Sequence, residues 1–206
     1  MTDPAVIKLG GSYAGSAERD DWLDAIEDCA GQVILVPGGG PFADAVRTAQ
    51  KAMGYHDRAA HHMALLAMEQ YGCALASLRS RFMLANSVEA IRGVLVEGGV
   101  PVWAPALMVL AATNLPECWQ LSSDSLAAWL AGILGVSRLL LVKRIAGSQA
   151  CLSAADLAAK GIVDPLFPRF LGASRAEAYI AGPADHAAAA AAIRRAGLPG
   201  SRIALP

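Results

Sequence analysis

Short runs of branched apolar residues alternate along this chain with longer segments in which apolar residues recur at helical spacing. The short runs predict buried strands at residues 5–9, 32–36, 73–77, 100–104, 138–142, 177–181 and 202–205. Helical spacing predicts helices at residues 41–53, 57–71, 88–97, 123–134, 153–160 and 183–196. Such alternation is typical of an α/β fold. We therefore expect one domain over residues 1–206, a three-layer αβα sandwich with a mostly parallel central sheet.

The first glycine loop follows the strand at residues 5–9, in the sequence VIKLGGS. Lys8 stands near the carboxyl end of that strand, and Gly10, Gly11 and Ser12 come directly after it. Ligands of parallel sheets bind beyond the carboxyl ends of the strands. Backbone N–H groups of such a loop can approach an anion closely, and Lys8 adds a full positive charge. The loop is therefore a candidate phosphate site.

A second glycine loop follows the next strand, in the sequence VPGGGPFAD. Gly38, Gly39 and Gly40 leave the strand, and Pro41 suits the first turn of the helix that follows. Either loop alone is equally well explained as an ordinary tight turn between a strand and a helix. Because two such loops follow the first two strands, and one of them carries a strand lysine, phosphate binding is the favoured interpretation.

A third motif, residues 121–147, places Asp124 in the first turn of a predicted helix, and a strand at residues 138–142 follows. An acidic residue there is also favourable for the helix dipole alone. The three motifs in this order resemble the amino acid kinase superfamily over nearly the whole chain. That resemblance implies that Lys8 stabilises the transferring phosphoryl group and that Asp124 orients the lysine. It further implies that the two glycine loops hold ATP and a small-molecule phosphate acceptor, with Mg²⁺ bridging the ATP phosphates and no metal ligand from the protein.

The chain departs from the superfamily pattern after the late strand, where it has Lys143 and Arg144 in place of a Thr-Asp-like segment. Two cations at this position could hold nucleotide phosphates, or they could be solvated ends of the strand. The second lysine of the superfamily's catalytic apparatus has no certain equivalent. Lys143 and Lys160 are the two candidates for that role.

Three segments narrow the resemblance to one branch, the kinases of methanofuran biosynthesis: residues 56–72, 118–131 and 161–171. The branch implies an aminomethylfuran methyl phosphate as acceptor and a diphosphate as product. The alternatives are another phosphomonoester or carboxylate as acceptor, or a homologue that binds nucleotide or another anion without catalysing transfer.

An acceptor with an ammonium group requires a carboxylate or an aromatic partner. Asp57 and His61 stand at i and i+4 of one predicted helix, and together they are candidates to enter the acceptor cleft. Alternatively, Asp57 caps its helix and His61 packs between helices. Arg47 is a candidate to reach a phosphate. Trp119 either stacks on the acceptor ring or is a buried strand residue.

Composition excludes several other functions. With 17 Lys and Arg against 18 Asp and Glu, the chain lacks the basic field that nonspecific nucleic-acid binding requires. Its apolar stretches are shorter than the roughly 20 residues of a membrane span. Neither the cysteines nor the histidines have the spacing of a metal site. A hydrophobic content of 55% suggests extensive burial between elements or subunits, so we expect a cytoplasmic homo-oligomer.

Overall fold

The computed structural model describes residues 3–144 and 152–205. In these residues eight strands form one sheet, in the order β3-β4-β2-β1-β5-β7-β8-β6. All neighbouring strands are parallel except β7 and β8. The strands are β1 Ala5–Leu9, β2 Val33–Pro37, β3 Phe82–Ala85, β4 Val100–Trp103, β5 Arg138–Val142, β6 Leu152–Ser153, β7 Glu177–Ala181 and β8 Ser201–Ala204.

Helices cover both faces of the sheet. Along β1, Val6 contributes to one hydrophobic core and Ile7 to the other, because successive side chains of a strand point to opposite faces. The predicted three-layer, mostly parallel α/β fold is therefore confirmed. The α-helices are α1 Glu18–Glu27, α2 Gly40–Met53, α3 Asp57–Ser77, α4 Val88–Val96, α5 Ala106–Ala111, α6 Ser123–Leu134, α7 Ala154–Ala159, α8 Phe167–Ser174 and α9 His186–Arg194.

The strand predicted at residues 73–77 is wrong, because α3 continues without a break to Ser77. Gly72 is not a helix end. A Cβ atom there would lie 3.2 Å from the Pro37 ring, so glycine lets α3 pass close to the end of β2. Tyr71 and Leu75, one helical turn apart, are both buried in the same core. Tertiary packing thus outweighs the weak helix propensity of glycine.

Five described elements had no counterpart among the sequence predictions: α1, β3, α5, β6 and α8. The edge strand β3 is only four residues long, and its central Met83 and Leu84 are exposed. Met63 and Leu66 of α3 are exposed as well. These exposed apolar side chains are candidates for a homo-oligomer interface. Oligomerisation stays a prediction. Among the described residues, every helix is too short or too polar to cross a membrane.

Candidate active site

Three charged side chains meet where the carboxyl ends of β1 and β5 approach the start of α6. Lys8 Nζ lies 2.8 Å from Asp124 Oδ1, and Lys143 Nζ lies 2.6 Å from Asp124 Oδ2. The Lys8 and Asp124 side chains are 5% and 3% exposed, and Lys143 is 18% exposed. β1 and β5 are adjacent parallel strands, which is why their terminal lysines converge on one carboxylate. We call these three residues the charged triad.

Burial dominates the electrostatics of the triad. It lowers the pKa of Lys8, and the nearby Lys143 acts in the same direction, whereas Asp124 opposes both. Burial would by itself raise the pKa of Asp124, but the two ammonium groups outweigh it and lower that pKa. The carboxylate is therefore ionised at neutral pH. Within the triad two lysine side chains face one carboxylate in a largely dry place, an arrangement that suits a phosphoryl group.

Asp164, in the loop before α8, anchors the start of the helix that carries Asp124. Its Oδ2 accepts hydrogen bonds from the Ser122 N–H at 3.1 Å, the Ser122 hydroxyl at 2.8 Å and the Ser125 N–H at 3.0 Å. The Ser125 hydroxyl also donates to Asp164 Oδ1. Burial, assisted by Asp124, raises the pKa of Asp164. A serine directly before or at the start of α6, Ser122 or Ser123, is the residue type that usually caps a helix. Ser122 holds the cap position, but the side chain that accepts from the first turn is the distant Asp164.

The two glycine loops pack directly against each other. A Cβ atom on Gly11 would overlap the backbone nitrogen of Gly40, and one on Gly38 would lie 2.5 Å from the backbone nitrogen of Gly11. Gly40 also has a positive φ of 54°. Glycine is required at Gly11 and Gly38 because backbone meets backbone, and at Gly40 because of its positive φ, in each case independently of any ligand.

The backbone N–H groups of the loops divide into two sets. Gly10 N–H donates to the Val142 carbonyl at 3.1 Å, and Gly38 N–H donates to the Leu9 carbonyl at 2.9 Å. Both groups are therefore committed within the protein, which contradicts their predicted role as phosphate donors. For the described residues, no hydrogen bond uses the N–H groups of the other four loop residues: Gly11, Ser12, Gly39 and Gly40.

Those same four residues line a cavity of about 300 Å³. Gly40 begins α2, so the positive end of the helix dipole faces the cavity. Lys8 and Asp124 are not in the lining, but Asp124 directly follows the lining residue Ser123 on α6. Much of the remaining lining is apolar and is formed by these side chains: Ala43, Ala64, Leu65, Met68, Leu121 and Leu126. The cavity thus combines an end lined by loop N–H groups, the candidate anion-binding end, with a mostly apolar wall.

The rim of the cavity carries charged and aromatic side chains. Arg47 Nη1 lies 2.9 Å from Asp44 Oδ1, and the guanidinium carbon lies 4.7 Å from the centre of the Trp119 ring. Trp119 Nε1 donates to Gln50 Oε1 at 2.7 Å. All of these residues except Gln50 line the cavity. Trp119 lies in the loop before α6 and not in a strand, so its alternative interpretation as a buried strand residue is wrong.

The structure separates the two residues that were expected to enter the cleft together. His61 is buried and lines the cavity, and burial lowers the pKa of its imidazole. Asp57 is exposed, accepts a hydrogen bond from Gln50 Nε2 at 2.9 Å, and is not in the lining. This corrects its predicted place, and the physical reason is the direction of α3: its first turn lies beyond the cavity. The cap of α3 is His56, whose Nδ1 accepts from the Ala59 N–H.

The two predicted cations that follow β5 lie in different environments. Lys143 turns inward to Asp124, and Arg144 is exposed. The rest of the motif that departs from the superfamily, residues 145–147, lies outside the described residues. Lys160 is exposed at the end of α7 and belongs to neither the cavity nor the triad. In the described parts of the chain, no group of three His, Cys, Asp or Glu side chains could hold a metal ion.

Sequence reasoning did not single out Asp44 or Asp164 as site residues. Asp44 stands one turn beyond the second glycine loop, and that spacing was available as a signal. Asp164 contacts residues about forty positions away, so no local pattern identifies it.

A lysine at the end of a parallel strand and an aspartate in the first turn of a helix, beside two glycine loops, are the arrangement of a phosphotransferase of the kinase type. The sequence profile of the amino acid kinase family matches residues 3–147. The chain therefore belongs to the amino acid kinase family.

Individual relatives agree with this placement. The chain is similar to the [5-(aminomethyl)furan-3-yl]methyl phosphate kinase of Methanocaldococcus jannaschii, at 22% identity over 85% of this chain and 86% of the relative. Its fold resembles uridylate kinase from Archaeoglobus fulgidus, with a TM-score of 0.70, 16% identity and coverage of 98% of this chain and 100% of that one. It also resembles isopentenyl phosphate kinase, with a TM-score of 0.60, 16% identity and coverage of 97% and 99%.

Proposed function

We propose that this protein transfers the γ-phosphoryl group of ATP to a small phosphomonoester and forms a diphosphate and ADP. The proposed acceptor is [5-(aminomethyl)furan-3-yl]methyl phosphate, the substrate in the name of the relative from Methanocaldococcus jannaschii. The observation that carries the proposal is the charged triad, two lysine side chains on one buried carboxylate, beside four loop N–H groups that bond to none of the described residues. Small phosphorylated molecules fit a cavity of about 300 Å³ with an anion-binding end.

In the proposed reaction a phosphate oxygen of the acceptor attacks the γ-phosphorus. A new P–O bond forms while the bond to the oxygen that bridges the β- and γ-phosphates breaks, and the electron pair leaves with ADP. Charge spreads over the oxygens of the transferring group, so positive charge at fixed positions lowers the barrier. Lys8 supplies this charge, Asp124 fixes Lys8, and Lys143 provides the second cation. The free N–H groups of Gly11 and Gly40 hold phosphate oxygens.

Magnesium fits this site as a companion of the nucleotide. Mg²⁺ keeps several waters and binds mainly through substrate phosphates in many kinases. When bound, it would neutralise charge on the β- and γ-phosphates. The net charge of the triad suits the remaining phosphate oxygens.

A second acceptor class, an isoprenoid monophosphate, is favoured by one specific observation. The wall that includes Leu65, Met68 and Leu126 is apolar and would accommodate a short hydrocarbon chain. Isopentenyl phosphate kinase is also among the proteins of similar fold. The charged rim at Asp44 and Arg47 supports the aminomethylfuran acceptor instead, because a hydrocarbon offers these side chains no partner.

A substrate panel tests the proposal. The purified protein is incubated with ATP, Mg²⁺ and, in turn, the aminomethylfuran phosphate, its unphosphorylated alcohol, isopentenyl phosphate and a nucleoside monophosphate. ADP release and mass spectrometry of the products are measured. We expect a diphosphate from the aminomethylfuran phosphate and little product from the alcohol, which lacks the anion for the loop N–H groups. Rapid turnover of another acceptor, with no aminomethylfuran diphosphate, would reject the acceptor and retain the kinase.

A further inference from the structure

A cation lies between a carboxylate and an aromatic ring at the rim of the cavity. The Arg47 guanidinium contacts the Asp44 carboxylate at 2.9 Å and stands over the Trp119 ring at 4.7 Å. Only one carboxylate oxygen of Asp44 takes part, since Oδ1 accepts from Arg47 and no described group donates to Oδ2. A carboxylate beside an aromatic face is the combination that binds organic ammonium groups.

The aromatic part of this arrangement is held in place. Trp119 Nε1 donates to Gln50 Oε1 at 2.7 Å, and the Gln50 amide nitrogen donates to the Tyr55 carbonyl at 3.1 Å and to Asp57 Oδ1 at 2.9 Å. The amide is thus held on both sides, and the face of the indole is presented in one orientation. Asp57 contributes to this support from outside the cavity.

The charged part can be exchanged. The Arg47 side chain is 51% exposed and that of Asp44 is 76% exposed, so moving the guanidinium into water costs little. A ligand ammonium that is covered by the cavity would compete with it for the same carboxylate and the same ring face.

The spacing along α2 matches the proposed acceptor. Gly40 begins the helix at the anion-binding end, and Asp44 lies one turn further, about 6 Å along the axis. In the proposed acceptor, a five-membered ring and two methylene groups separate the phosphate from the ammonium group. A molecule of this length can reach from the start of α2 to Asp44. Both Gly40 and Asp44 line the cavity, so the two ends of such a molecule meet opposite charges in one space.

We propose that Asp44 and the face of Trp119 bind the ammonium group of the acceptor, which takes the place of the Arg47 guanidinium. This inference rests on the proposed function for the identity of the acceptor. It replaces the sequence prediction that Asp57 recognises the ammonium. Asp44 is a specificity-determining residue in this account, and it takes no part in phosphoryl transfer.

Calorimetry with two ligands tests the assignment. The ligands are [5-(aminomethyl)furan-3-yl]methyl phosphate and an analogue in which a methyl group replaces the aminomethyl group. We expect the wild-type protein to bind the amine more tightly than the analogue. Asp44→Asn should weaken binding of the amine about tenfold, the size expected for one charged contact, and leave the analogue within about twofold. Asp28→Asn, which changes an exposed carboxylate directly after α1, is the matched control.

Each result decides between the proposals. Equal binding of the two ligands by the wild type, or an equal effect of Asp44→Asn on both, would overturn the ammonium site. Selective weakening by Asp57→Asn without any by Asp44→Asn would restore the sequence prediction. Turnover is measured in parallel. Asp44-dependent binding of the amine without formation of a diphosphate would reject the proposed function and leave the ammonium site standing.

Discussion

The charged triad and the rim of the cavity hold similar residue types in opposite environments. At the triad, Lys8 and Asp124 are at most 5% exposed, and each charge is fixed by another charge. At the rim, Arg47 and Asp44 form an equally short ion pair, but both side chains are more than half exposed. A buried pair cannot lose one partner without leaving an uncompensated charge, whereas an exposed pair exchanges its partner for water at little cost.

The comparison indicates different roles for the charged triad and for the rim of the cavity. The triad is built from strand ends and the first turn of a helix, which are fixed by the sheet. The rim is built from one face of α2 and a loop. We therefore expect substitutions in the triad to affect the rate with every acceptor. Substitutions at the rim should change which acceptor is used.

Lys8→Ala should have the largest effect. Removal of one electrostatic stabiliser of the transferring phosphoryl group lowers kcat by about 10²- to 10³-fold. ATP affinity should fall much less, because the loop N–H groups remain. Steady-state kinetics with the best acceptor of the panel measure both quantities. Wild-type kcat in this variant would remove Lys8 from the catalytic site.

The two candidates for the second catalytic lysine sharpen this test. Lys143→Ala should lower kcat by at least about tenfold, because Lys143 is the second ammonium group on Asp124. Lys160→Ala should resemble the wild type, because Lys160 is exposed on α7. The opposite ranking of these two variants would transfer the second catalytic role to Lys160 and break the triad.

Gly11→Ala tests the contact between the glycine loops. The added methyl group would overlap the Gly40 backbone, so we expect the free energy of unfolding to fall by about 1–3 kcal/mol and activity to be lost. Gly15→Ala is the matched control, since a Cβ atom there meets nothing within 4 Å. Chemical denaturation and kinetics are measured on both. If Gly11→Ala kept full stability and lost only phosphate affinity, the loops would be a ligand cradle without the packing role.

Asp164→Ala tests whether the position of the charged triad depends on the hydrogen bonds between Asp164 and the start of α6. It leaves the N–H groups of Ser122 and Ser125 without their acceptor, which should cost about 1–2 kcal/mol of unfolding free energy. Because α6 carries Asp124, kcat should also fall, while KM for ATP changes less. Asp156→Ala, in the first turn of α7, serves as a comparison. Unchanged kcat together with lower stability would reduce Asp164 to a structural cap.

The sequence predicted the parts of the site that lie on one continuous motif. Lys8, Gly11 and Gly40 were recognised because a strand and the loop after it determine where such residues lie. Which glycine N–H groups are free could not be predicted, since Gly10 and Gly38 are committed by neighbouring segments that only the folded sheet brings close.

Choices between similar residues depended on tertiary structure. Asp44 and Asp57 both lie near the start of a helix, and helical spacing does not reveal which helix start faces a cavity. Lys143 and Lys160 were likewise equivalent in sequence, but only Lys143 follows the strand that neighbours β1. The fold class could be predicted more completely, because the alternation of strands and helices is repeated along the whole chain.

The smallest expected effect concerns His61, a buried residue that lines the cavity. Burial lowers the pKa of its imidazole below the ordinary 6.5, and this is opposed by a hydrogen bond that the imidazole donates to the Cys118 backbone and by the nearby Glu117. The unfolded chain therefore takes up a proton more readily than the folded protein. The stability that neutral His61 contributes is fully present above about pH 6.5 and is lost as pH falls below it, by at most about 1.4 kcal/mol per pH unit.

His61→Asn should flatten the decrease in unfolding free energy between about pH 7 and pH 5.5, and the exposed neighbour variant His62→Asn should follow the wild type. Urea denaturation at a series of pH values measures the slopes. An identical slope in His61→Asn and the wild type would mean that His61 is protonated equally well in the folded protein.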